Sequence, residues 1–307
     1  MIDSRFFPTL LLAAVACGPA EQASDQPHAD VPMATAMDIA QVGFATPEAV
    51  LHDTAADVYL VSNINGGPAD KDDNGFIARL APTGAVLTLK WIDGAADGIT
   101  LHGPKGMAIR HDTLFVADVD AVRLFDRTTG AALAEWPLEG AAFLNDLAVG
   151  PDGTLYVTDT GVEPAAEGGL VPNGRDGIYR REGDRWVAVV TGQGLGNPNG
   201  ILAESGGLTV VTFVSGEAYT VDPSSGERTM LSKPAAGGLD GVVRLADGSL
   251  LIGSWGARGI YRLTTAGAFS MLADTVNSPA DIAVDAKRGA LLIPDFGEDR
   301  VLIRPLH

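Results

Sequence analysis

From Ala36 to His307 the chain alternates short runs of β-branched and aromatic residues with turns of Gly, Asp, Pro and Asn. No stretch carries helical periodicity, so the pattern predicts an all-β protein. One short motif recurs six times: Pro47-Glu48-Ala49-Val50, Pro104-Lys105-Gly106-Met107, Leu144-Asn145-Asp146-Leu147, Pro198-Asn199-Gly200-Ile201, Leu239-Asp240-Gly241-Val242 and Pro279-Ala280-Asp281-Ile282. Each is followed by a second strand, ending at Asn63, Asp118, Asp159, Phe213, Ser254 and Asp295. From the second residue of each motif to these ends the separations are 15, 13, 14, 14, 14 and 15 residues. A third strand follows in all six units and a fourth in five, near Val86 to Trp91, Ala132 to Trp136, Arg185 to Val190, Arg228 to Leu231 and Ala268 to Leu272. Repeats of about 40 to 50 residues built from four strands are propeller blades.

The sixth unit ends at His307 with three strands, while Asp38 to Phe44 is a strand with no blade of its own. Pairing the two leaves no open sheet edge. The expected fold is a six-bladed β-propeller over residues 38–307, closed by its N-terminal strand.

Ahead of it, Met1 to Cys17 reads as an export signal: Arg5, an apolar run from Phe6 to Ala16, and the small-residue box Ala14-Val15-Ala16-Cys17. The run is too short to span a bilayer. The box resembles the bacterial lipoprotein signal, which implies lipidation at Cys17 and, with Gly18 next, an outer-membrane protein facing the periplasm. Ordinary signal-peptidase cleavage is the competing reading. Residues 18–37, rich in Ala, Pro, Asp and Gln, read as a disordered tether. Cys17 is the single cysteine, so a disulfide framework and a Cys-based zinc site are excluded.

A formal charge of -18, spread along the chain, repels nucleic acid and anionic lipid headgroups. The expected membrane association is through the lipid anchor alone. The same field concentrates cations.

In a propeller the first strand of each blade lines the central channel. The aligned column is Glu48, Lys105, Asn145, Asn199, Asp240 and Ala280. Four of these are oxygen donors, a set that suits a hard divalent cation such as Ca²⁺ and argues against zinc or copper. The competing reading is that Asn and Asp here only cap backbone turns. These motifs, Thr46-Pro47-Glu48-Ala49, Leu144-Asn145-Asp146-Leu147, Asn197-Pro198-Asn199-Gly200 and Leu239-Asp240-Gly241-Val242, resemble those of the gluconolactonase, regucalcin and luciferin-regenerating-enzyme propellers. The likeness to paraoxonases and squid-type phosphofluoridases is more distant. The resemblance implies that Glu48, Asn145, Asn199 and Asp240 hold a catalytic Ca²⁺ at the bottom of an open pocket.

Lys105 departs from the family pattern. An ammonium next to a divalent ion is unfavourable unless its pKa falls. Three roles are open: a general base or clamp on substrate, a partner of Asp146 or Asp118, or a replacement for the metal bridging Glu48 and Asp240.

The second-strand ends Asn63, Asp118, Asp159, Phe213, Ser254 and Asp295 form a second ring, expected either on the pocket wall or, for the aspartates especially, as turn caps. His102 is placed at the pocket mouth as a proton carrier, with a solvated loop as the alternative. Asp70, Asp72, Asn74 and Gly75 open like an EF-hand loop, but Ala81 stands at the twelfth position and strands flank it, so they read as a hairpin. No phosphate loop, nucleophile elbow or metal-binding histidine pair appears.

The leading functional expectation is a metal-dependent hydrolase of lactones or related esters. Asp240 or Lys105 would act as base, with Asp146 and Asp281 as substitutes. The alternative is a non-catalytic envelope propeller that binds a small ligand or a protein on its top face.

Overall fold

The computed structural model describes residues 33–141, 143–273 and 275–306, together with Met1. The export signal, Cys17 and most of the tether lie outside the described residues.

Each repeat folds into a four-stranded antiparallel sheet, and the six sheets are the blades. Blade one is Pro47–Asp53, Val58–Asn63, Phe76–Leu80 and Val86–Asp93; its second strand is buried throughout. Strands sandwiched between neighbouring blades need apolar residues on both faces, whereas outermost strands such as Arg228–Ser232 are largely exposed. The hydrophobic core is divided accordingly into clusters between adjacent blades. Leu60, Ile77 and Ile92 of blade one, for example, pack on Met107, Leu114 and Phe125 of blade two.

The ring closes as expected. Met37–Ala40 pairs with Arg300–Pro305 in the register Met37 to Ile303 and Ala40 to Arg300. This closing strand is shorter than the predicted 38–44, and the chain is docked before it, since the Ala34 amide donates to Arg288 O. A polar latch ties blade one to blade six. The Tyr59 hydroxyl donates to Asp285 at 2.7 Å, and Arg288 reaches both Asp285 and Asp57.

Two local features position the site. In blades one to five the innermost strand breaks register at its start, for instance between Leu144 and Leu147 and between Leu239 and Val242. Such bulges re-aim side chains, here toward the axis. Glycine then lets neighbouring strands approach. A Cβ on Gly241 would fall against Ile282 N and lie 2.6 Å from Asp281 Cα, both backbone atoms. A two-stranded hairpin, Val162–Pro164 with Leu170–Pro172, was absent from the predicted elements. Its strands are three residues each, too short to show a period.

Candidate functional site

The column residues Glu48, Lys105, Asn145, Asn199 and Asp240 all line one cavity of about 400 Å³. All five are buried side chains. The sixth, Ala280, is fully buried and adds no polar group.

Glu48 Oε2, Asn145 Oδ1, Asn199 Oδ1 and Asp240 Oδ1 are each buried without a hydrogen-bond partner. Leaving a buried acceptor unpaired costs about 1–3 kcal/mol. Four such atoms on one cavity floor are therefore a standing deficit that a ligand with positive charge offsets. Asn145 shows how the orientation is held. Its Nδ2 donates to Thr160 Oγ1 at 3.1 Å, and that hydroxyl donates to Pro198 O at 2.9 Å, leaving Oδ1 turned to the cavity. The donor set is all oxygen and carries two carboxylates, which fits a hard divalent cation. Among the described residues no three His, Cys, Asp or Glu side chains are grouped as metal ligands. The axial set has two, with amide carbonyls supplying the rest.

The electrostatics point the same way. Burial raises the Glu48 pKa well above its ordinary value, with Asp240 and Asp146 adding to the rise and Lys105 opposing it. Burial, then Asp146, lifts Asp240 to about 8, against a smaller opposing pull from the Trp255 indole. Burial lifts Asp146 to about 7 against hydrogen bonds from the Ile201 and Leu147 amides. Asp281 is raised by burial and by Asp146, Glu48 and Asp240. Glu48, Asp240 and Asp281 are thus each pushed up by neighbouring carboxyls, and Lys105 opposes the rise at Glu48 alone.

That ammonium is not a bridge. Lys105 Nζ donates to Pro68 O and Gly103 O, each at 2.8 Å, and lies over the Phe143 ring. It makes no hydrogen bond or ion pair with Glu48, Asp240, Asp146 or Asp118, which removes two of its three expected roles. Burial lowers its pKa, opposed chiefly by Glu48. With two of three donors used, one N–H is left for the cavity.

The second ring needs correction. Asn63 accepts from the Ala45 amide, Asp118 from His102 and Gly103, Asp159 from Gly161, Ser254 from Ala257, and Asp295 from Ser278. These side chains hold turns, Asp118 and Asp295 with the further help of Arg123 and Arg300. Phe213 alone of the six lines the cavity. The register explains it: Leu144 pairs with Asp159 and Leu239 with Ser254, but Pro198 pairs with Thr212. Phe213 is therefore one residue past the equivalent position, and that next position is the cavity-facing one. Ile64, Thr160, Phe213, Trp255 and Phe296 all occupy it and all line the cavity. Alternation of side chains puts neighbours on opposite sides, so a one-residue offset selects the wrong set. Asp146 and Asp281 lie one residue after the axial column and are not on the cavity wall. His102 is also off the wall, where its Nδ1 accepts from the Asp73 amide at 3.2 Å.

The sequence profile described as the SMP-30/gluconolactonase/LRE-like region matches residues 81–284. The chain belongs to this family. No curated protein sequence matches it. Among solved structures, family-type propellers align over nearly the whole chain. One is a structural-genomics protein assigned as a gluconolactonase, at 18% identity and TM-score 0.65, covering 90% of this chain and 94% of that one. A gluconolactonase from Xanthomonas campestris aligns at 18% identity and TM-score 0.58, covering 90% and 99%. Regucalcin from Agrobacterium tumefaciens, a calcium-binding protein, aligns at 16% identity and TM-score 0.59, covering 89% and 93%. At these identities the alignments carry the fold, and the SMP-30/gluconolactonase membership rests on the profile.

Proposed function

We propose that the chain is a divalent-cation-dependent hydrolase of lactones or related esters, with Ca²⁺ as the preferred ion. The observation that carries this reading is the convergence of four unpaired buried oxygens, from Glu48, Asn145, Asn199 and Asp240, on the floor of one cavity. A bound ion at these residues supplies Lewis acidity toward the ester carbonyl. The chain's own groups do the rest. Asp240 takes a proton from water as the water oxygen bonds to the carbonyl carbon. The same proton then goes to the alkoxide as the ring C–O bond breaks, so hydrolysis balances as lactone plus water to hydroxy acid. The free N–H of Lys105 orients the substrate oxygen, and the apolar wall above excludes bulk water.

The test has two arms. Melting of chelator-treated protein is measured with and without added Ca²⁺, and hydrolysis of a lactone panel is followed by proton release. Ca²⁺-dependent stabilisation with turnover supports the reading. Chelator-insensitive melting with a silent panel favours the non-catalytic binding propeller instead. For location, we propose an envelope lipoprotein anchored at Cys17, supported by the signal and box in residues 1–17.

A further inference from the structure

Above its floor the cavity is a hydrocarbon surface. Phe213, Trp255 and Phe296 come from three successive blades and pack edge-on and tilted into one wall, with centroids 5.4 Å and 5.0 Å apart. Ile64 and Phe143 face in from other blades, and the hairpin missed in the sequence adds Val162 and Leu170. At the rim, Leu170 is 38% and Val214 54% exposed, apolar side chains left open to solvent around the mouth.

Polar groups on the wall are few. Thr160 Oγ1 is occupied by Asn145 and Pro198, and the Trp255 indole N–H acts on Asp240 at the floor without closing a hydrogen bond. A polyhydroxylated lactone would bury hydroxyls against this wall with little to bond, at about 1–3 kcal/mol for each one unpaired. A hydrocarbon substituent meets the opposite situation, since its methylenes leave water for apolar contact along the wall.

From this wall we infer that the substrate is a lactone or ester bearing an apolar chain or ring of several carbons, with its carbonyl at the polar floor and its hydrocarbon part along Phe213, Trp255 and Phe296. The inference rests on the hydrolase reading for the chemistry of the substrate's head, but the wall's preference for hydrocarbon is independent of turnover.

The experiment compares Ca²⁺-loaded protein on glucono-δ-lactone, γ-butyrolactone and γ-lactones with four- to eight-carbon alkyl tails. In parallel, the intrinsic fluorescence of Trp255 is titrated with the matching γ-alkyl butyrolactams, which are not hydrolysed as esters, using Trp255→Phe to assign the signal. The expected result is kcat/KM rising roughly fourfold per methylene over the first several carbons. Lactam affinity should rise in parallel, with both slopes flattened in Leu170→Ser and Phe213→Ser. Chain-length-dependent lactam binding with a silent hydrolysis panel would sink the hydrolase reading and keep the apolar ligand. Turnover of glucono-δ-lactone equal to or better than that of the alkyl lactones, with no slope in lactam binding, would overturn the inference while leaving the hydrolase intact. Neither turnover nor binding would overturn both.

Discussion

Lys105 and Phe143 meet across the cavity floor, with the ammonium 4.4 Å from the ring centroid. The ring and two carbonyls hold the ammonium, and the carboxylate that acts on it most is Glu48, with which it makes no ion pair. Lys105→Met is expected to lower lactone turnover by about a hundredfold, the lower edge of what a positioned proton-transfer group supplies. Calorimetric Ca²⁺ affinity should hold or rise, because a repulsive charge is gone. Loss of Ca²⁺ binding in this variant would instead make Lys105 part of the ion's support.

Removing a carboxylate separates charge from ligation. Glu48→Gln takes one buried ionisable carboxyl out of a crowded set, so the chelator-treated variant should melt at or above wild type. Its response to Ca²⁺ should collapse. For the wild type, cation at about 100 times its Kd stabilises by about 2.7 kcal/mol, a rise of several degrees in a domain of this size. A Glu48→Gln protein with an unchanged Ca²⁺-induced rise in Tm would rule out Glu48 as a ligand.

Stability of the metal-free protein should fall with rising pH. Asp240 and Asp146 have folded pKa values of about 8 and about 7, above the ordinary 3.8. The folded state thus holds more protons than the unfolded chain between those limits, and its stability is complete below the unfolded pKa and eroded as pH climbs toward the folded one. Melting of chelator-treated protein between pH 5 and pH 8 reads this directly. Added Ca²⁺ should recover more at pH 8 than at pH 5, since protons and cation compete for the same oxygens. A flat profile would mean these carboxyls are already ionised.

Gly241→Ala tests the close approach of blades five and six. Its Cβ would meet backbone atoms of Asp281 and Ile282, which cannot rotate away. The expected loss is about 1–3 kcal/mol of stability, with a weakened Ca²⁺ response because Asp240 is the adjacent proposed ligand. Gly140→Ala has open space around its Cβ but a left-handed φ of 83°, so it should cost stability without touching the Ca²⁺ response. Equal Ca²⁺ effects in both variants would break the link to the blade contact.

Cys17→Ala is expected to move the protein from the membrane fraction to the soluble fraction on cell fractionation, with loss of the lipid mass at the N-terminus. A wild-type protein found wholly soluble would point to ordinary signal cleavage.

Much of this protein was legible because a propeller is written locally. Each blade repeats its own turn residues and alternating strands, and the start of each innermost strand in blades one to five carries Glu48, Lys105, Asn145, Asn199 or Asp240 at one fixed place in its motif. The closing strand was readable by subtraction, as three strands at one end and one at the other. What stayed hidden was decided by which way a backbone turns where a strand ends. Asn63 and Ile64, or Asp295 and Phe296, are chain neighbours with opposite fates, one capping a turn and one facing the cavity, and only pairing register assigns them. The partners of Lys105 were hidden for a similar reason, since Pro68 O and Gly103 O are backbone atoms that no residue type announces. Sequence by itself determined the repeat, the ring and the polar floor, because periodicity and side-chain chemistry are local properties. The apolar wall and the unpaired state of the four oxygens arise from side chains of separate blades meeting at one point, and that meeting is a property of the tertiary structure alone.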